Sequence, residues 1–228
     1  MTRALPIVSA CIACIACIGG CGGAGPLEGN ALLRDSLLNA VQSKCTPLAR
    51  VTTPYATDVG AAPSVTPCAL ADGKAIAWQS DLDVDCDGGQ QDACRSDPEY
   101  QGGTSATTAG GAPIDANAVP FVVVPLSRPD GMDDDGEGVA LGNAAYVIFD
   151  DKIVAGVFAD EGPSDVIGEA SFAMAEALGI DPDPVRGGAD GGATFIVFTG
   201  ADAAVQPIED HDEAERVAKA RAEEVVVP

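Results

Sequence analysis

Histidine is almost absent from this chain. The one histidine, His211, stands in a charged C-terminal segment. A Ser-His-Asp or Cys-His mechanism therefore lacks its base, and a histidine-ligated zinc or iron site lacks its ligands. No G-x-x-x-x-G-K-[ST] segment and no strand-linked G-x-G-x-x-G occurs, which argues against nucleotide use. Basic residues are scarce as well: 12 Lys and Arg stand against 35 Asp and Glu, for a formal net charge of −23. A surface of that sign repels phosphates and excludes nucleic acid as a partner. Aromatics make up only 4% of the chain, while 27 glycines and 16 prolines punctuate it, a composition of turn-rich β or α+β domains rather than helical bundles. With histidine, cofactor and metal motifs missing, any chemistry here rests on carboxylates. The expected cofactor set is none, and no metal site is expected.

No apolar run is long enough for a lasting membrane span. Leu5 to Ile18 is the longest, and with Arg3 before it the first 20 residues read as an export signal. The signal ends Ile18-Gly19-Gly20-Cys21, a lipobox pattern that makes Cys21 the candidate lipidation site; a plain secretory signal is the competing reading. Both place the mature chain outside the cytoplasm, in a bacterial cell envelope as a lipid-anchored protein or as a secreted one. In that oxidising setting Cys45, Cys68, Cys86 and Cys94 read as disulfide cysteines. Four cysteines allow three pairings, and proximity favours Cys45–Cys68 with Cys86–Cys94. Their spacing is not C-x-x-C, which counts against zinc.

The 228 residues suffice for one domain with extensions. Residues 1–20 form the signal and 21–44 a glycine-rich tether and a short helix over Ala31–Val41. A domain follows over 45–205, and 206–228 is a charged tail. The tail is a helix candidate without a clear apolar stripe, expected to be solvated. Within the domain, Cys45–Pro67 reads as loop, Ala75–Trp78 as a short strand and Val119–Pro125 as a buried strand between prolines. Ala144–Asp150 and Ile153–Ala159 read as a hairpin turning at Asp151-Lys152, and Thr194–Phe198 as a last strand. Asp130–Gly138 is an exposed acidic turn.

Two segments stand out. From Asp81 to Gly88 aspartate alternates with apolar residues. The spacing resembles a calcium loop, but its twelfth position, counted from Asp83, is Cys94 rather than the Glu an EF-hand requires. As a strand it places Asp81, Asp83, Asp85 and Asp87 on one face and Leu82, Val84 and Cys86 on the other. A like-charged row of this kind suits water, a cation or a basic ligand. The second segment, Ile153–Leu178, reads as a strand ending on Asp160 and a turn through Gly162-Pro163. A helix capped by Ser164 or Asp165 then runs to Gly179. Asp160 at the strand end and Glu169 in the first helical turn are two carboxylates on rigid elements, the arrangement that acid–base cleavage of a glycosidic bond needs. The ordinary alternatives are a turn-forming Asp and a Glu favoured by the helix dipole.

These segments, taken together, resemble the fungal-type chitosanases, glycoside hydrolase family 75. The resemblance rests on Leu82-Asp83-Val84-Asp85-Cys86-Asp87-Gly88, on Asp97-Pro98 with Gln101 and Thr104, and on Val119–Pro125. It continues through Gly156–Asp160, Gly162-Pro163, Ile167-Gly168-Glu169-Ala170-Ser171, Gly187-Gly188 and Phe195–Gly200, covering Trp78 to Gly200. Ala159 stands where the family is expected to carry glycine. The resemblance implies endo-hydrolysis of β-1,4-linked glucosamine in chitosan by an inverting pair, with Asp160 and Glu169 as the two acids. Asp83, Asp85 and Asp87 are then candidate contacts to substrate amines, and a strongly acidic surface suits a polycationic glycan. A helix N-terminus would favour a charged Glu169 as base, whereas burial would make it the acid.

The expected architecture is a β-rich α+β domain, a small closed β-barrel with a helix after the catalytic strand. Its expected partner is chitosan or a partly deacetylated glycan, with membrane contact through a lipid anchor only and the protein acting as a monomer. Two other readings are a non-catalytic acidic lipoprotein that binds polycationic glycan or calcium, and a lytic enzyme on cell-wall glycan.

Overall fold

The computed structural model describes residues 26–48, 53–126 and 138–226. The expected export signal, Cys21 and most of the acidic turn at 130–138 lie outside the described residues. The elements run α1 (Pro26–Lys44), β1 (Thr46–Pro47), β2 (Cys68–Leu70), β3 (Ala75–Asp85), α2 (Asp92–Arg95), β4 (Phe121–Pro125) and β5 (Ala144–Phe149). They continue β6 (Lys152–Gly162), β7 (Glu169–Ser171), α3 (Phe172–Leu178), β8 (Ala189–Phe198) and α4 (His211–Val226).

Six strands close into a barrel in the order β3-β7-β4-β6-β5-β8, with β8 pairing back onto β3. Strands β1 and β2 extend the sheet beside the first half of β3. Alternation along the strands separates two cores. Ile76, Trp78, Leu82, Val122, Val124, Ala145, Val147, Phe158, Ala170, Phe195 and Val197 fill the interior, where Trp78 stacks on Phe195 at 5.2 Å between ring centroids. Met174, Ala175 and Leu178 of α3 join that interior cluster. Ala75, Ala77, Phe121, Val123, Ala144, Tyr146, Ile148, Val157, Ile196 and Phe198 face outward, and much of this outer face is covered by α1 and α4. This is the β-rich closed barrel expected. Among the described residues no helix is long and apolar enough to cross a membrane.

Both disulfides favoured by proximity are present, Cys45–Cys68 and Cys86–Cys94, with Cα separations of 5.5 and 4.9 Å. The first ties the end of α1 to β2, and the second ties the end of β3 to α2. The hairpin β5–β6 also forms, but Phe149 pairs with Lys152, so the turn is Asp150-Asp151, one residue earlier than expected. Asp150 takes the left-handed conformation at φ 51°, which aspartate tolerates better than most residues.

Three sequence expectations are corrected. Glu169 lies in β7, not in a first helical turn. The helix begins at Phe172, and its N-cap is Ser171, whose hydroxyl accepts from the Met174 amide at 3.1 Å, rather than Ser164 or Asp165. Ile167 and Ala170 do fall at helical spacing, but they reach the barrel interior from extended chain. Gly168 at φ +126° breaks any helix there, and its carbonyl accepts from the Asp83 amide at 3.0 Å. The helix does stop at Gly179, in the left-handed conformation.

The C-terminal helix is not a solvated tail. Ala214, Val217, Ala218, Ala222 and Val225 form a buried stripe packed on β5, β6 and α1. Three of its five buried residues are alanines set among charged neighbours, so the stripe carries little hydropathy although its spacing is helical. At the other end, helix α1 reaches back to Pro26, through the second half of the expected tether. Proline at a first helical position loses no hydrogen bond. Leu37 and Ala40 of α1 are buried against the same outer face.

Candidate active site

Where the helices leave the outer face of the barrel bare, the ends of β3, β7, β4 and β6 floor a cleft of about 520 Å³. Register explains which side chains meet there. Asp83 of β3 pairs with Glu169 of β7. Val122 of β4 pairs with Ala170 of β7, which sets Val123 beside Glu169. Val123 in turn pairs with Asp160 of β6. One outward-facing row therefore reads Asp83, Glu169, Val123, Asp160 across four neighbouring strands. Asp160 and Glu169 flank β4, two strand spacings apart, or about 9.5 Å between backbones.

Simple alternation would not have put Asp160 in this row. Val157 faces out and Phe158 in, so Asp160 would face in. A β-bulge intervenes: Val122 pairs with Phe158, and Val123 pairs with Asp160, leaving Ala159 as the extra residue. Bulges re-aim side chains in this way at the rims of barrels. A loop between α2 and β4 fastens the result. Ala106 donates to the Ala159 carbonyl at 2.9 Å, and the Ser105 and Glu161 amides both donate to Asp160 Oδ1 at 2.8 Å.

The cleft brings together the five carboxylates expected to act on substrate: Asp83, Asp85, Asp87, Asp160 and Glu169. The Asp run is a strand only as far as Asp85. There the Asp87 amide turns back to donate to Asp85 Oδ1 at 2.7 Å, and Asp87 Oδ1 accepts from the Gln101 amide at 2.7 Å. Sequence reasoning did not single out Asp58, Glu99 or Glu161, which also line the cleft. Asp58 comes from a loop far from β3 in the chain and carries no local pattern. Among the described residues the lining contains no Lys, Arg or His and no aromatic ring. Val59, Leu126 and Val185, exposed by 83%, 59% and 61%, give its rim an aliphatic character.

Burial with so many like charges holds protons on these groups. Glu169 is pushed up to about 7 by burial first and then by Asp83, Asp160, Asp87 and Asp81. Asp81, at the edge of the cleft, reaches about 7, mainly through burial and then Asp83 and Asp58. Asp87 reaches about 6 through burial, against the opposing Gln101 amide. Burial also raises Asp160, but the Ser105 and Glu161 amides oppose it by favouring the charged form. Both flanking acids are raised, but Asp160 has two amide donors that favour its charged form and partly offset its burial, while burial and four neighbouring carboxylates raise Glu169.

Residues 82–224 match the family described as fungal chitosanase of glycosyl hydrolase group 75. The chain belongs to that family. The match spans the acidic strand, the bulged strand, β7 and most of α4, so this family's domain reaches past residue 205. The chain is similar to chitosanases of Aspergillus oryzae. "Endo-chitosanase C" is 37% identical over 143 residues, covering 60% of this chain and 35% of that protein. "Endo-chitosanase" is 31% identical over 136 residues, covering 54% of this chain and 56% of that protein. "Endo-chitosanase B" is 30% identical over 143 residues, covering 57% and 58%. The chain thus spans about a third of the first relative and somewhat over half of the other two.

Proposed function

We propose that this glycosyl hydrolase group 75 domain cleaves β-1,4-glucosamine linkages within chitosan, with inversion, using Glu169 as general acid and Asp160 as general base. The observation that carries this reading is the Glu169–Val123–Asp160 row. Two acids on one face, whose backbones stand on either side of an intervening strand, support a pair spaced for a water between base and sugar. Inverting pairs stand roughly 6.5–9.5 Å apart, whereas retaining pairs stand roughly 5–5.5 Å apart. Glu169 gives its proton to the glycosidic oxygen as the C–O bond breaks. Asp160 takes a proton from the water that attacks the anomeric carbon from the opposite face. A protonated Glu169 and an ionised Asp160 are the states each role requires. The dipole argument for Glu169 as base loses its footing, because no helix N-terminus lies at Glu169.

The substrate assignment is supported by the names of the relatives and by the cleft. A lining rich in carboxylates and, among the described residues, free of cationic side chains suits a chain of protonated amines. Asp83 and Asp87 are proposed as amine contacts. The N-terminal signal pattern and Cys21 support an envelope-anchored, extracytoplasmic enzyme, for which loss of labelled lipid on Cys21→Ala is the check.

The test is reducing-end release from well-deacetylated chitosan by the native chain, Glu169→Gln and Asp160→Asn, with the new anomer followed by NMR. The native chain is expected to release the α-anomer first, and each variant to lose about 10²–10⁴-fold in rate. Cleavage of peptidoglycan with no action on chitosan would transfer the same machinery to a lytic role. No cleavage of either glycan would overturn the catalytic reading.

A further inference from the structure

Asp85 differs from its neighbours on β3. It lies beyond the Asp83–Glu169 pair, opposite Ser171 of β7. Asp85, Asp87 and Asp160 each contribute a carboxylate oxygen, and the three oxygens lie within 4.8 Å of one another. That distance is closed by a small side-chain rotation or bridged by one water. Among the described residues no Lys, Arg or His lines the cleft to neutralise the group. Three like charges so close in a partly buried site cannot all persist, and the least solvated one keeps a proton. Asp160 has two backbone amides that favour its charge, and Asp87 has the Gln101 amide. Asp85 has the Asp87 amide on Oδ1 alone. Its carboxyl is raised well above the usual range by burial, opposed by that amide, and raised further by Asp160, Asp87 and Glu169.

We propose that Asp85 is a positioning residue: a neutral carboxylic acid that donates a hydrogen bond to Asp160 and holds it as the base, rather than a charged contact to substrate amines. This inference rests on the reading of Asp160 as base. The groups facing Asp85 are Asp160 from β6, Glu169 from β7 and Asp87 from the turn that follows β3, all acidic. Asparagine at this position reproduces both features assigned to Asp85, an oxygen for the Asp87 amide and a donor toward Asp160. It abolishes any ionic contact with an ammonium group.

The experiment compares kcat and KM on chitosan oligomers for the native chain, Asp85→Ala and Asp85→Asn, with melting temperature measured alongside. Asp85→Ala is expected to lower kcat roughly 10–100-fold, the usual worth of a hydrogen bond to a charged partner, with KM little changed. Asp85→Asn is expected to recover much of that kcat, with the acidic limb of the kcat profile displaced from native. A raised KM in Asp85→Asn, with kcat preserved, would overturn the proposal in favour of a charged amine contact. If both variants lose stability, difference infrared spectra of the native chain against Asp85→Asn at pH 7 decide. A neutral carboxyl C=O band assigned to Asp85 supports the proposal, and an ionised Asp85 overturns it. A native chain inactive on chitosan that still shows the neutral band would sink the substrate reading without touching the protonation state of Asp85.

Discussion

A Cβ placed on Gly162 would stand 2.5 Å from Oε2 of Glu169 and 3.0 Å from Cγ1 of Val123. Gly162 ends β6 two residues after Asp160, and its missing side chain is the space the Glu169 carboxyl occupies. Gly162→Ala is therefore expected to displace that carboxyl while leaving the strand paired. A displacement of about 1 Å at a reacting group costs on the order of 100-fold in rate. We expect kcat on chitosan to fall by that order with a melting temperature close to native. Native kcat in Gly162→Ala would remove Glu169 from the reaction.

The raised carboxyls make stability depend on pH in an unusual direction. Glu169 and Asp81 stand at about 7 and Asp87 at about 6, against ordinary values of 4.5 and 3.8. A carboxyl that binds its proton more tightly folded than unfolded stabilises the fold below its unfolded value. That contribution is lost as pH rises through the folded value. The melting temperature is expected to fall as pH is raised from about 5 to about 8, and Asp81→Asn with Asp87→Asn to flatten the decline. Calorimetry across that range checks it, and a melting temperature rising toward alkaline pH would contradict the burial of these acids.

Glu169 as acid also predicts the basic limb of activity. It must hold its proton to give it up, so kcat/KM should decline above about 7. Its position is read from the pH profile on short oligomers; an unchanged basic limb in a Glu169→Asp variant that retains activity would assign that limb to another group.

Cys86–Cys94 anchors the turn that carries Asp87, and Asn117 donates to Cys94 Sγ at 3.2 Å beneath it. Cys45–Cys68 lies beside β1 and β2, away from the cleft lining. Each disulfide is expected to stabilise the fold by about 2–4 kcal/mol. Serine substitution of the Cys86–Cys94 pair should in addition raise KM, while the Cys45–Cys68 pair should lower melting temperature alone. Equal effects on KM would mean that the Asp87 turn is positioned by its backbone hydrogen bonds.

Ala218 of α4 is fully buried against the barrel, and Glu215 of the same helix is exposed. Ala218→Glu forces a charge into that interface and should cost about 3 kcal/mol or more, in the range of the most damaging core changes. Glu215→Lys should change stability little. Denaturant titration of both variants measures whether α4 belongs to the domain's core.

The sequence by itself determined the class of chemistry. One histidine and an excess of acids left carboxylates as the working groups, and the segments around Asp83–Gly88 and Ile167–Ser171 pointed to the family. Local pattern also sufficed for β4, for the β5–β6 hairpin and for the cysteine pairing, because each depends on neighbours in the chain. Tertiary structure decided the rest. Ile167, Ala170 and Met174 satisfy a helical period, yet Ala170 is a strand residue paired with β3 and Ile167 precedes that strand outside any helix, since strand pairing and the positive φ of Gly168 outweigh periodicity. The small-residue stripe of α4 acquires meaning only against the barrel that covers it. Asp160 faces the cleft because Ala159 bulges, and a bulge is a property of register between β4 and β6. Asp58 joined the site from a loop distant in the chain, a neighbour that only the folded chain supplies. Spacing reports which side of an element a residue occupies; it does not report which strand lies next to it, and here that neighbour sets both the separation of the two acids and the protons they hold.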